Sequence, residues 1–144
     1  MAGICGSLHF KMIVGTGIDL SEIPRIRNSM ERFGDRFLDR IFTAGEKAYC
    51  LRKKNAAESF AARFAAKEAA AKALGTGFRR GVFFSDLGVV NLPGGQPTLK
   101  MTGGSAERLK AITPAGMTAV VHLTMTDEYP YAYAQVIISA IPAS

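Results

Sequence analysis

Residues Ala56-Ala-Glu-Ser-Phe60-Ala-Ala-Arg-Phe64-Ala-Ala-Lys-Glu68-Ala-Ala-Ala-Lys72-Ala-Leu74-Gly75 decide the fold. Most of them are strong helix formers, and glycine is a common residue just beyond a helix end. Asn55 comes directly before the stretch and is a favoured N-cap residue, with Glu58 three residues later. The sequence therefore predicts one long helix from Ala56 to Leu74.

Shorter segments before this helix also have recognisable patterns. Met12–Gly17 is apolar with two glycines near its end, which predicts a short buried strand that stops at those glycines. Ser21 is expected to cap the next helix, which has Pro24 in its first turn and an apolar face that extends to Phe33. Two more helices are predicted before Asn55: Asp35–Phe42 and, after the capping-box pair Thr43 and Glu46, a helix to about Leu51.

The second half of the chain has the composition of strands. Runs rich in β-branched and aromatic residues are separated by turns, and they predict the strands Leu87–Leu92, Thr98–Met101, Thr118–Thr126 and Tyr131–Ser139. Ser105–Ile112 is expected to form a short helix. The order of elements predicts one small α+β domain over residues 12–144, with the long Ala-rich helix packed on a mainly antiparallel sheet. Residues 1–11 are expected to be a poorly ordered tail, left from cloning or from an upstream start.

The charge of the chain is positive and uneven. The formal net charge is +6, and residues 22–54 hold nine Lys/Arg against five Asp/Glu. This segment is either a solvated helix surface or a landing surface for an acidic protein, a nucleotide or a nucleic acid. Cys5 and Cys50 are too few for a disulfide framework, and no run reaches the roughly 18 apolar residues of a membrane span. A cytoplasmic protein that does not enter a membrane is the expectation.

Two carboxylates are candidates for chemistry. Asp19 is expected directly after the first strand, among small residues that leave room for a ligand, although Asp is also common in turns and helix entries. Glu68 continues a helix face begun by Phe60 and Phe64, so its carboxylate is expected to be partly desolvated and to need a cation. The cation is either Lys72, four residues later, or a metal such as Mg²⁺, which binds one or two carboxylates together with waters and phosphate oxygens.

The long helix also carries the basic residues Arg63, Lys67 and Lys72. They either keep an Ala-rich helix soluble or bind phosphate groups. Because Lys67 and Glu68 are adjacent, their side chains leave the helix about 100° apart. That geometry predicts that they hold one phosphate from two sides, with Glu68 acting through a metal.

Several blocks of the sequence resemble, in the same order, the bacterial holo-acyl-carrier-protein synthases. The likeness covers about residues 12–141, and the blocks that carry it are Gly15–Ile23, Phe42–Glu46, Ala61–Gly77, Phe84–Val89 and Tyr131–Val136. The resemblance implies a small α+β phosphopantetheinyl transferase. Such an enzyme moves the 4′-phosphopantetheine arm of coenzyme A to a serine of an acyl carrier protein. It also implies a homotrimer with active sites between subunits.

The resemblance also assigns roles to residues of this chain. Asp19 and Glu68 are expected to bind Mg²⁺. The chemistry of the transfer, and not the resemblance, leads us to expect Glu68 to accept the serine proton through a metal-bound water. Lys67 and Lys72 are expected to contact coenzyme A phosphates. Arg63 is expected to bind a phosphate as well, because it is one of the basic residues of the long helix. Two further roles complete the set: Gly75 lets the nucleotide approach closely, and Arg25, or less directly Arg27, docks the acidic carrier.

The sequence departs from the family pattern at Asp127. Many members have His at this position, whereas His122 of this chain is expected to be an ordinary strand residue. Asp is a weaker base than His near neutral pH, so Asp127 is expected either to act catalytically through water or metal or to be silent. Two other functions therefore stay open: a non-catalytic coenzyme A or nucleotide-binding subunit, and a basic nucleic-acid-binding module. The second has no recognised binding motif to support it.

Overall fold

The structure is a computed structural model, and it describes residues 12–143. The tail predicted at residues 1–11 lies outside this range. The elements in chain order are β1 (Met12–Glu22), α1 (Ile23–Phe33), α2 (Asp35–Ile41), α3 (Ala44–Leu51), α4 (Ala56–Ala73), a 3₁₀ turn (Phe84–Asp86), β2 (Leu87–Asn91), β3 (Pro97–Met101), α5 (Gly103–Ile112), β4 (Met117–Glu128) and β5 (Tyr131–Pro142). This is the α+β arrangement that the sequence predicted.

The long helix α4 packs on an antiparallel sheet. The sheet has three strands in the order β1-β5-β4, and β2 and β3 form a separate antiparallel hairpin. Alanines of α4 and alternate residues of β5, such as Ala134, Val136 and Ile138, make the centre of the core. Because alternate residues of a strand point to opposite faces, the other half of β5 faces away from α4.

β1 is longer than the sequence predicted, because its glycines do not end it. A Cβ added to Gly17 would overlap the carbonyl oxygen of Ala69, and one added to Gly15 would overlap that of Ala73. The glycines therefore let the backbone of α4 lie directly against the strand. Glycine in a strand often marks such a close backbone approach, and here it holds the helix to the part of β1 that leads to Asp19.

Ser21 is a strand residue and not the helix cap that the sequence predicted. It is buried, and its Oγ donates a hydrogen bond to the backbone oxygen of Ala61 at 2.9 Å. Helix α1 begins after Glu22, with Pro24 in its first turn as expected. The other helix signals are confirmed in position: Thr43 and Glu46 form the capping box, Asn55 is the N-cap of α4 without a side-chain hydrogen bond, and Gly75 follows that helix with φ +79°.

One face of the three-stranded sheet is not covered by any described residue. Ile13, Ile18 and Leu20 of β1 are 65%, 62% and 48% exposed, and Tyr131 and Tyr133 of β5 are 39% and 37% exposed. Leu20 pairs with Tyr133 across the two strands, so these side chains lie together on what we call the open sheet face. Among the helices of the described residues, none is long and apolar enough to cross a membrane.

Candidate active site

Asp19 lies within β1, opposite Ala134 of β5, and not after the strand end as the sequence predicted. Its side chain is 18% exposed, and its Oδ1 is 2.9 Å from Nζ of Lys72 on α4. The same ammonium donates to the backbone oxygen of Ile18 at 2.9 Å. Lys72 therefore pairs with Asp19, and the described ion pairs do not include the Glu68–Lys72 pair that spacing alone allowed.

Glu68 is half-buried beside Asp19. Burial raises the pKa of its carboxyl above the usual value, the negative charge of Asp19 raises it further, and Lys72 partly opposes both effects. Two acidic side chains, one from β1 and one from α4, thus lie close enough for the charge of Asp19 to affect Glu68, and their role as shared metal ligands stays a prediction. The exposed ammonium near these two carboxylates is that of Lys72, which pairs with Asp19.

A divalent cation fits this pair of carboxylates. The described residues contain no group of three or more His, Cys, Asp or Glu side chains arranged to hold a metal ion. Two carboxylates are nevertheless the usual protein contribution to Mg²⁺, which takes its other ligands from water and substrate phosphates. Burial and, after it, the charge of Asp19 raise the pKa of Glu68, and a bound cation would offset both effects.

A cleft of about 370 Å³ opens beside Glu68, and we call it the carboxylate cleft. Arg25 of α1 and the rings of Phe37 and Phe64 line it together with Glu68. The Arg25 side chain is 80% exposed, with its Nη1 3.9 Å from Oε1 of Glu22. The structure thus brings the predicted carrier-docking residue and a predicted metal ligand to the same cleft.

Lys67 does not occupy the position that its predicted role requires. Its side chain is 0% exposed, and its Nζ is 2.7 Å from Oε1 of Glu46. The same ammonium donates to the backbone oxygens of Phe84 at 3.0 Å and Leu87 at 2.7 Å. Because an ammonium has three donors, none remains for a phosphate. The prediction that Lys67 contacts coenzyme A is therefore wrong for this arrangement, and Lys67 serves the packing of α4 instead.

Sequence reasoning missed the partner of Lys67. Glu46 was recognised only as half of a capping box, but it is 1% exposed and its Oε2 also accepts from the backbone N–H of Val89 at 2.8 Å. One carboxylate thus joins the start of α3, the middle of α4 and the hairpin strand β2. Burial lowers the pKa of Lys67, and the charge of Glu46 opposes that shift. The signal available in the sequence was a lysine surrounded by alanines in a helix, which indicates a basic side chain that needs an acidic partner in the interior.

Arg63 lines a second cavity of about 520 Å³, which we call the anion cavity. Lys53, Lys54 and Tyr49 also line it, and Glu58 and Asp127 contribute carboxylates. Arg63 is 7% exposed, and its Nε has no hydrogen-bond partner among the described residues. A buried unpaired N–H is costly, so Nε of Arg63 stands out among the polar atoms of the described residues.

Asp127 and Arg63 meet at this cavity, and Asp127 is exposed near the end of β4. Gly75 has the positive φ that favours glycine, and an added Cβ would contact the Arg108 side chain at 3.4 Å. It does not line either cavity, so its predicted role toward the nucleotide stays a prediction. His122 is an exposed strand residue, with Nε2 3.0 Å from Oγ of Ser139.

Comparison with known proteins identifies the family. The model of the 4′-phosphopantetheinyl transferase superfamily matches residues 15–134. The chain therefore belongs to this superfamily, as the sequence blocks predicted. The holo-[acyl-carrier-protein] synthase of Phenylobacterium zucineum (strain HLK1) is 61% identical over 133 residues, which are 92% of this chain and 96% of that protein.

Solved structures share the fold. The crystal structure of holo-[acyl-carrier-protein] synthase from Neisseria meningitidis has a TM-score of 0.77 at 34% sequence identity, over 88% of this chain and 98% of that one. The Helicobacter pylori protein, solved in complex with coenzyme A, has a TM-score of 0.72 at 27% identity, over 85% of this chain and 98% of that one. The predicted fold class is confirmed.

Proposed function

We propose that this protein transfers the 4′-phosphopantetheine group of coenzyme A to a serine of an apo acyl carrier protein, with release of adenosine 3′,5′-bisphosphate. The observation that carries the proposal is the half-buried Glu68, which feels the charge of Asp19 and lines a cleft together with Arg25. Its support from relatives is the 61% identity to a protein named for this activity. Fatty-acid synthesis is the pathway class that needs such a carrier.

Mg²⁺ is the proposed cofactor, held by Asp19 and Glu68. When bound, it would neutralise charge on the diphosphate, which is the main requirement of phosphoryl-type transfer. Glu68 is the proposed acceptor of the serine hydroxyl proton, through a water molecule, because it lines the cleft at which the carrier is proposed to dock. Lys72, 54% exposed beside Asp19, is placed to add positive charge at the same point.

The anion cavity is the proposed site for a second phosphate of the same substrate. Arg63 lines this cavity and has a buried N–H without a partner, and Lys53 and Lys54 add two more cations to the lining. Coenzyme A suits two separate anion sites, because it has both a diphosphate and a 3′-phosphate. Asp127 lines this cavity and not the carboxylate cleft. We therefore propose that any catalytic role of Asp127 is exerted on substrate bound in the anion cavity.

A homotrimer with active sites between copies is the proposed assembly. The carboxylate cleft and the anion cavity have no lining residue in common, and they involve β1 and β4, the opposite edges of the sheet. The open sheet face exposes apolar side chains that a second copy would bury. The number of copies comes from the family resemblance. The mass of the particle in solution tests it, and Ile18→Glu on the open sheet face should disrupt the assembly.

The carrier is proposed to dock where Arg25 faces solvent. Arg25 is 80% exposed, and the carboxylate cleft that it lines also contains Glu68, so the docked serine would lie near the proposed base. An acidic partner attracted by exposed arginines should associate more slowly as salt rises. The reducing cytoplasm, which suits the free thiol of Cys50, is the proposed location.

One experiment separates the proposed function from its alternatives. The protein is incubated with Mg²⁺, coenzyme A and an apo acyl carrier protein, and the carrier is weighed by mass spectrometry. A mass gain equal to phosphopantetheine, lost in Glu68→Gln, supports the transferase. Binding of coenzyme A without that gain means a non-catalytic subunit, and binding of nucleic acid alone means a nucleic-acid-binding module.

Mixing inactive variants tests whether copies share an active site. Glu68→Gln removes the proposed base, and Arg63→Gln removes the proposed phosphate ligand of the other cavity. If each active site uses one cavity from each of two copies, co-refolded mixtures regain part of the parent activity. Mixtures as inactive as their components would mean that each copy works alone.

A further inference from the structure

Tyr49 of α3 lies against two cations of the anion cavity. The centre of its ring is 4.3 Å from Cζ of Arg63 and 4.6 Å from Nζ of Lys53. Both distances are within the range in which a cation is attracted to an aromatic face. Tyr49 lines the cavity together with these two residues, and no role in binding or catalysis has been assigned to it so far.

The Arg63 guanidinium is held in one orientation. Its Nη1 donates to the backbone oxygen of Ser59 at 3.3 Å and to Oγ of Ser59 at 3.1 Å, and the Tyr49 ring covers its face. Ser59 Oγ is itself 3.2 Å from Sγ of Cys50. With these contacts made, Nε is buried and unpaired. A long side chain fixed in this way loses less rotamer entropy when an anion binds than a mobile one would.

We propose that the Tyr49 ring is a positioning residue for the anion cavity: it holds Arg63 and Lys53 so that both cations meet one phosphate group of coenzyme A. This inference rests on the proposed function for the identity of the ligand. The ring acts through the cations, and it needs no contact with the phosphate.

The hydroxyl of Tyr49 is not the group that matters in this proposal. The pKa of the Tyr49 phenol is lowered, chiefly through hydrogen bonding with the Lys53 side chain, so the test has to separate the hydroxyl from the ring. A phenylalanine ring retains the stacking surface and lacks that hydroxyl. Tyr49→Phe is therefore the matched control for Tyr49→Leu, which removes the aromatic face.

The test measures binding of coenzyme A by calorimetry, which needs no turnover. In Tyr49→Leu the Kd for coenzyme A should rise by about 5- to 30-fold, the range expected for losing one buried cation–π contact to Arg63 and one exposed contact to Lys53. Tyr49→Phe should stay within about threefold of the parent, a difference below one such contact. The KM for coenzyme A should follow the Kd, and saturating coenzyme A should restore most of kcat.

A double-mutant cycle shows whether Tyr49 acts through Arg63. In the Arg63→Gln background, changing Tyr49 to Leu should have a clearly smaller effect on the Kd, because one of its two cations is gone. If Tyr49→Leu folds poorly, Tyr49→Met provides a second aliphatic replacement. Thermal unfolding of every variant shows whether a changed Kd comes from lost structure.

Several outcomes would overturn the inference. A parent-like Kd in Tyr49→Leu would do so. Weak binding of coenzyme A by Tyr49→Phe would also do so, since the hydroxyl and not the ring would then hold the cations. An equal loss with and without Arg63 would also count against it. Failure of the proposed function looks different: the parent binds coenzyme A but adds no mass to the carrier, and the Tyr49 comparison still stands.

Discussion

Replacing Lys67 by methionine should unfold the protein more easily without a specific loss of coenzyme A binding. The change keeps a long side chain but removes the ammonium that pairs with Glu46 at 2.7 Å, at a place where both side chains are 0% exposed. The carboxylate would remain buried with backbone N–H donors from Thr43 and Val89 only. The backbone oxygens of Phe84 and Leu87 would each lose the ammonium as a hydrogen-bond donor.

The magnitude follows from this burial. Breaking a buried ion pair by removing one partner costs about 3–5 kcal/mol, because the remaining charge is uncompensated. For a domain of this size, that is roughly a 6–20 °C decrease in the melting temperature. Lys72→Met on the same helix is the matched control. Lys72 is 54% exposed and its partner Asp19 is 18% exposed, so solvent screens this pair far more than the Lys67–Glu46 pair and its removal should cost about 1 kcal/mol.

Urea and thermal unfolding at a fixed protomer concentration provide the assay, since assembly makes apparent stability depend on concentration. The double variant with Glu46→Gln and Lys67→Met should be less destabilised than the sum of the single variants, because no charge is left alone. The reasoning is refuted if Lys67→Met unfolds like the parent and instead raises the KM for coenzyme A. That result would restore the phosphate contact expected from the sequence.

Three further predictions concern the carboxylate cleft and the strand that leads to it. Because the pKa of Glu68 is raised in the fold, its ionised form costs stability, and the cost is absent at low pH and develops as pH rises through the folded pKa. Glu68→Gln should therefore melt above the parent in metal-free buffer at pH 7, with a gap that closes toward pH 4.5, and excess Mg²⁺ should raise the melting temperature of the parent alone. An unchanged order at both pH values would contradict this. Gly17→Ala should lose at least about 1–3 kcal/mol in urea unfolding, since its Cβ would overlap the Ala69 backbone, whereas Gly94→Ala, with open space around it, should be close to neutral. Arg25→Glu should raise the KM for the carrier several-fold at low salt, with the KM for coenzyme A unchanged; an unchanged carrier KM would place docking elsewhere.

Local signals in the sequence were enough for most of the helices. The long helix, its glycine ending and the capping box of Thr43 and Glu46 were predicted correctly, because each depends on residues within a turn or two. The extent of β1 was not predicted correctly, because glycine usually indicates the end of a strand, and the sequence does not show the helix that packs on it. Gly17 lies inside the strand only because the backbone of α4 occupies the space where a side chain would be.

The same division holds for the candidate site. The chain by itself determined the family and the α+β class, because these follow from the ordered blocks of sequence. It also singled out Asp19 and Glu68 as candidate site residues, and their role as metal ligands stays a prediction. Only the tertiary structure decided which of the two lysines is accessible to solvent. Lys67 and Lys72 look alike in sequence, but one meets Glu46 in the interior and the other meets Asp19 at the surface. A charge takes its role from the partners and the solvent around it, and residues distant in the chain set both.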